Sequence, residues 1–278
     1  MPSSIHMKQS STVVLLHSSA SSARQWQGLV ESLQPRFQVR AVDFPGHGGR
    51  PAWPGDSTLS LADEAALVAP LLAETGGAHI VGHSYGAAVA LKLATMHPSL
   101  VRSVVVYEPV LFRWLLDDHT EQPAAQEIEA VVDSISHRLA RGQELSAAQR
   151  FINYWSGSGA WESLHGGKRH FIATRMRAVL QHFDALFREP LARAQLAALR
   201  IPMLFMTGAQ TVLAARRLAE LFRYALPQHQ HELLPGMGHM GPVTHALEVN
   251  RRIVKYLHAH EPIALAENPR EAAALAMP

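Results

Sequence analysis

Short, wholly apolar runs alternate with helix-period segments through the first third of the chain. Thr12 to Leu16 reads as a buried strand, and a helix follows around Ala23 to Leu33. Gln38 to Phe44 predicts a second strand, closed by the turn Pro45-Gly46-His47-Gly48-Gly49. A helix is expected over about Leu61 to Glu74. Ser60 and Asp63 have the spacing of a capping box at its start, and Pro70 inside it is expected to kink it. A β-branched run before Ser84, a small-residue helix from Ala87 to Met96 and the run Ser103 to Tyr107 come next. Strands this apolar, separated by helices, predict a parallel sheet covered on both faces.

The pattern changes between about Val110 and Leu199, where it is helical with no convincing strand. This stretch carries Trp114, Phe151, Tyr154, Trp155, Trp161, Phe171, Phe183 and Phe187. Alternation then resumes, with Pro202 to Thr207 as strand, Thr211 to Leu226 as helix, His231 to Leu234 as strand and a last helix from about Thr244 to His260. The reading is an α/β core over residues 1–111 and 200–278, interrupted by a helical insertion over 112–199 of the length of a cap. The alanine-rich tail after Pro262 is expected to be a short helix or partly disordered.

Composition narrows the classes. The 278 residues suit one domain with an insertion, and the 47% hydrophobic and 17% charged fractions are those of a globular protein. The formal charge is +2 with no basic stripe, so nucleic acid is not an expected partner. There is no cysteine, which removes disulfides, thiolate catalysis and cysteine-based zinc sites. Met1 to Ser11 is polar, Val13 to Leu16 is too short for a signal-peptide core, and no run reaches membrane-spanning length. A cytoplasmic protein without membrane contact is therefore expected.

Against this frame one segment carries chemistry. Gly82-His83-Ser84-Tyr85-Gly86 joins the strand to the small-residue helix, the context of a nucleophile elbow that lifts a serine hydroxyl above the sheet. Three further segments accompany it in order: Leu15-Leu16-His17-Ser18-Ser19, Asp43-Phe44-Pro45-Gly46-His47-Gly48 and Gly236-Met237-Gly238-His239-Met240-Gly241-Pro242. With them the chain resembles an α/β-hydrolase over its whole length apart from the tail. The first strand begins so early that the fold's usual N-terminal hairpin is expected to be absent or abbreviated.

The resemblance implies that Ser84 is the nucleophile and His239 its base, an imidazole being suited to take a hydroxyl proton near neutrality. The acid departs from the common pattern. Most relatives carry an aspartate in the loop that here reads Gly208-Ala209-Gln210-Thr211-Val212-Leu213, with no carboxylate. Gln210 could bond an imidazole without supplying the charge that stabilises imidazolium. Another branch of the family places a glutamate after the strand that follows the elbow helix. That site reads Val105-Val106-Tyr107-Glu108-Pro109. Glu108 is therefore the expected acid, keeping the order Ser–Glu–His. Its alternatives are that it caps the junction with the cap domain or pairs with an arginine such as Arg113, and Asp117 and Asp118 are weaker acid candidates.

The oxyanion hole is expected from the N–H groups of Tyr85 and Ser19, where Ser18 replaces the family's glycine. His17 and His47 read as structural, and Ser18, Ser21 and Ser22 as a polar loop. His229 and His231 would share a strand face but lack the further ligands of a metal site. No cofactor or metal is expected. Phe151, Tyr154, Trp155 and Trp161 recur near helical spacing, the pattern of core packing, while a closing cap requires some of them above Ser84. The resulting expectation is a serine hydrolase cleaving an ester, thioester or activated C–C bond of a small, apolar substrate through an acyl-enzyme. The alternative is a hydrolase scaffold retained for ligand binding.

Overall fold

A computed structural model describes residues 10–54 and 57–261. Its sheet has six strands: β1 (Thr12–Leu16), β2 (Gln38–Val42), β3 (Ala78–His83), β4 (Val101–Tyr107), β5 (Met203–Gly208) and β6 (Gln230–Leu234). All adjacent pairs are parallel, in the order β2-β1-β3-β4-β5-β6. Burial follows that order. Every residue of β1 and β3 is buried, and β4 and β5 nearly so, whereas the edge strands β2 and β6 are mostly half-buried or exposed. The continuous apolar runs are thus the strands covered on both faces.

Alternate residues serve two cores. Val14, Leu16, Ile80, Val104 and Val106 face one, with helices α2 (Leu61–Glu74) and α3 (Tyr85–Met96). Val13, Leu15, Val81 and Val105 face the other, where Leu29, Val249, Ile253 and Leu257 cover them. The latter side chains come from α1 (Gln27–Leu33) and α13 (Ala246–Ala259). The capping box forms: the Ser60 hydroxyl accepts from the Asp63 N–H at 3.2 Å, and the Asp63 carboxylate accepts from the Ser60 N–H at 2.9 Å. Pro70 is accommodated inside a continuous α2.

Between β4 and β5 lie seven α-helices and no strand: α4 (Arg113–Leu116), α5 (Gln122–Ala140), α6 (Glu144–Ser156), α7 (Ala160–Ser163), α8 (Gly166–Ala173), α9 (Met176–Arg188) and α10 (Arg193–Ala197). Helix α11 (Leu213–Ala225) joins β5 to β6. The last helix lies close to its expected place as α13, and the short α12 (Gly241–Thr244), which the sequence pattern did not announce, precedes it. No helix among the described residues is long and apolar enough to cross a membrane. The expectation for the tail after Pro262 falls outside the described residues, and β1 is the first strand within them.

The chain leaves β1 toward β2 and returns to place β3 on its other side. The strand order reverses there, and the carboxyl ends of β1 and β3 open a crevice between them. The loop at Ser19 and the turn at Ser84 both lie at that crevice.

Candidate active site

Ser84 follows β3 at φ 56° and ψ −116°, a backbone region that non-glycine residues seldom occupy. The strained turn is held on both sides. The Ser84 N–H donates to the Tyr107 carbonyl at 2.9 Å. A side chain at Gly86 would lie 2.4 Å from the Leu16 carbonyl oxygen, so only glycine lets α3 start against β1. The side chain of Ser84 emerges almost wholly buried, at 6% exposure.

His239 Nε2 lies 2.9 Å from Ser84 Oγ, and its Nδ1 lies 2.6 Å from Glu108 Oε2. Glu108 itself has φ 46°, turning the chain sharply at the end of β4. Its carboxylate also accepts from the Gly208 N–H at 2.8 Å and from the Thr211 hydroxyl at 2.7 Å. Two donors and the imidazole together satisfy this buried carboxylate. The Arg113 alternative is overturned, because Arg113 pairs with Asp117 at 2.7 Å. Asp118 pairs with Arg193 at 3.4 Å. Gln210 has an exposed side chain and meets the histidine loop through its backbone, its N–H donating to the Met237 carbonyl at 2.8 Å. The loop that usually supplies an acid supplies Thr211 instead, as a donor to Glu108.

The histidine loop is pinned from beneath. The Tyr107 hydroxyl donates to the Gly238 carbonyl at 2.7 Å. His83 Nε2 donates to the His239 carbonyl at 2.8 Å, which leaves its Nδ1 to accept from Gln25 Nε2 at 3.1 Å. Burial holds the His83 imidazole well below the ordinary histidine range, in keeping with that neutral tautomer. Sequence reasoning passed over His83, Gln25 and Thr211 as actors. The one available signal was that His83 occupies the variable position before the elbow serine.

Ser19 and Tyr85 both reach the crevice. Among the described residues neither backbone N–H has a hydrogen-bond acceptor, and Tyr85 is the first residue of α3, where helix amides lack intrahelical partners. The loop around them is braced by two neutral histidines. His17 accepts from the Phe44 N–H at 3.2 Å and donates to the Ser18 carbonyl at 2.7 Å. His47 accepts from the Ala20 N–H at 3.1 Å and donates to the Pro45 carbonyl at 3.0 Å. Burial pulls their imidazoles down to about 3 and about 4 respectively. Among the described residues, His229 and His231 are not joined by further groups that could hold a metal ion. His231 donates to the Leu226 carbonyl at 3.0 Å and stacks on Phe205.

A cavity of about 330 Å³ opens over Ser84 and His239. Phe151, Ile152, Trp155, Leu164 and Ile172 of the insertion line it with Val243 of α12, while Ser18, Ser19, Ser21 and Lys168 add polar groups. Trp155 stacks on the His239 ring, centroids 3.9 Å apart and planes 29° from parallel. The other two aromatics singled out in the sequence point elsewhere. Tyr154 donates to Glu127 at 2.7 Å, and Trp161 packs under Arg169.

Behind the crevice, Glu64 of α2 is fully buried and accepts from the Tyr85 hydroxyl at 3.2 Å. Burial pushes its carboxyl up to about 8. Between its ordinary value and about 8 the folded protein retains a proton that the unfolded chain releases. The group therefore lowers stability progressively as pH rises through that window, and most above it. Glu64→Gln, which has no proton to lose, is expected to gain stability over the parent by a few kcal/mol between about pH 5 and 8.5. Urea midpoints at the two pH values check this; a parent–variant difference that does not change with pH would contradict it.

A serine hydroxyl, an imidazole and a buried carboxylate in a hydrogen-bonded line, beside two unpaired amides, can activate the hydroxyl for attack on a carbonyl. The comparisons with known proteins agree with that chemistry. Residues 13–252 match the family described as the alpha/beta hydrolase family. The chain is 29% identical over 255 residues to a pimeloyl-(acyl-carrier protein) methyl ester esterase of Chromobacterium violaceum, covering 90% of this chain and 95% of that protein. An alpha/beta hydrolase enzyme from a Medee basin deep-sea metagenome library superposes with a TM-score of 0.76 at 17% identity, covering 92% of both chains. An enol-lactonase from Burkholderia xenovorans gives 0.70 at 18% identity over 91% of this chain and 93% of that one. These two structural likenesses are of fold.

Proposed function

Because the chain belongs to the alpha/beta hydrolase family, we propose that it is a serine esterase working through Ser84, His239 and Glu108. Ser84 Oγ attacks the ester carbonyl carbon while His239 Nε2 takes the hydroxyl proton. The oxyanion is received by the N–H groups of Ser19 and Tyr85. Collapse of the tetrahedral intermediate breaks the C–O bond, and the alcohol leaves with the proton from His239. Water then attacks the acyl-enzyme by the same route, releasing the acid. The helical insertion, residues 112–199, serves as a cap that excludes water from this step.

The observation that carries this reading is the unbroken line from Ser84 Oγ through His239 to Glu108, at 2.9 and 2.6 Å. A scaffold kept only for ligand binding has no need to strain a serine backbone and aim a carboxylate-backed imidazole at it. Oxoesters are favoured as substrates by the likeness to the methyl ester esterase.

The cavity's apolar wall of Phe151, Ile152, Trp155 and Ile172 is the basis for substrate size. With p-nitrophenyl esters of graded acyl length, kcat/KM is expected to rise from acetate to a medium chain and to fall once the acyl group outgrows about 330 Å³. Rates independent of chain length, or equal in the Ser84→Ala variant, would contradict the assignment.

A further inference from the structure

His182 of α9 reaches out of the helical insertion and touches both residues read above as oxyanion donors. Its Nδ1 lies 2.9 Å from Ser19 Oγ. Its ring lies flat on the Tyr85 ring, centroids 3.7 Å apart and planes 3° from parallel. On its other side it stacks on His47 at 4.9 Å. The residues flanking Ser19 are tied to the core instead. Ser18 donates through its N–H and hydroxyl to Gln25 Oε1, at 3.1 and 2.8 Å. Ala20, held at φ 59°, donates to His47. Among the described residues, the side chain of Ser19 has one hydrogen-bond partner, and that partner belongs to the insertion.

We propose that His182 is a positioning residue for the oxyanion site, holding Ser19 by hydrogen bond and Tyr85 by stacking so that the two amides converge only with the insertion seated on the sheet. The inference rests on the reading of Ser19 and Tyr85 given under the proposed function.

Packing alone does not account for an imidazole here. His182 Nε2 is buried without a hydrogen-bond partner, 3.8 Å from Glu64 Oε1, and Glu64 Oε2 is likewise unpartnered. A phenylalanine would fill the same stack without leaving a buried nitrogen unpaired. What it would not supply is the bond to Ser19. Burial keeps His182 neutral, so the bond forms without placing a charge in the core.

The test uses the full chain and a double-mutant cycle of Ser19→Ala and His182→Phe, assayed on a p-nitrophenyl oxoester and the matching thionoester. Displacing rather than deleting an oxyanion donor is expected to lower oxoester kcat by about 10- to 100-fold, with KM changed by no more than about twofold. The two substitutions remove one contact, so the double variant is expected to be no slower than the worse single variant. The preference for oxoester over thionoester should shrink in proportion, because a thiocarbonyl sulfur profits little from the oxyanion amides. His182→Gln, which can still bond to Ser19, should recover part of the rate and covers the case in which the phenylalanine variant folds poorly. Unchanged kcat in His182→Phe, equal losses on both substrates, or losses that multiply in the double variant would each overturn the proposal. Equal turnover by the parent and Ser84→Ala would instead show that the reading of Ser84 has failed, and the inference would fall with it.

Discussion

Ser84→Ala is expected to lower kcat by about 100,000-fold or more, with the fold intact. The substitution removes one oxygen atom and leaves everything that shapes the turn: the Tyr107 carbonyl still receives the residue 84 N–H, and Gly86 still lies against Leu16. The loss is large because the remaining groups have nothing to activate. His239 would face a methyl group, and hydrolysis would depend on water reaching a site that Trp155 and Ile172 cover. Steady-state assay with a saturating ester, alongside an unfolding curve, checks both halves of the statement. A variant that keeps a tenth of the activity would move the nucleophile elsewhere.

Glu108→Gln is the second large effect, expected at about 1,000- to 10,000-fold in kcat. The glutamine is the same size and can still accept the Gly208 N–H that Glu108 Oε1 receives at 2.8 Å, so the fold is conserved. The difference lies at the other atom. Glu108 Oε2 accepts from His239 Nδ1, which leaves Nε2 bare to take the serine proton. An amide nitrogen placed there donates, forces Nδ1 to become the acceptor, and puts the ring proton on Nε2, pointing at Ser84. The tautomer is then wrong for a base and the imidazolium loses its counter-charge. Gln210→Ala is expected to be nearly neutral, since its side chain is exposed and bonds nothing in the triad. Severe loss in Gln210→Ala with a mild effect of Glu108→Gln would reverse the assignment.

The central strands were legible because they are buried on both faces, and such strands print themselves as unbroken apolar runs. Thr12 to Leu16 and Ser103 to Tyr107 could be read at once for that reason, while the ends of α11 and the short α12 ahead of α13 follow from local turn geometry that periodicity does not report. The glycines around Ser84 and His239 flagged the turns, and Glu108 stood out as a carboxylate at the end of an apolar strand. The fold brings these three side chains into one line. What stayed hidden depends on contacts between distant segments. His83 meets the His239 carbonyl across 156 positions, and His182 meets Ser19 across 163. Nothing near either histidine in the chain announces those partners. The aromatics of the insertion were ambiguous for a similar reason, since spacing places residues on a helix face without saying what the face meets. Phe151 and Trp155 line the cavity, whereas Tyr154 bonds to Glu127.

The central claim is that Ser84 is an activated nucleophile. Intact-mass measurement after brief exposure to a fluorophosphonate tests it most directly, because the reagent requires activation of the hydroxyl and needs no knowledge of the natural substrate. One adduct per chain is expected, mapped to the peptide containing Ser84, absent in Ser84→Ala and formed far more slowly in Glu108→Gln. Folded protein that takes up no adduct, or carries it on another serine, would contradict the account.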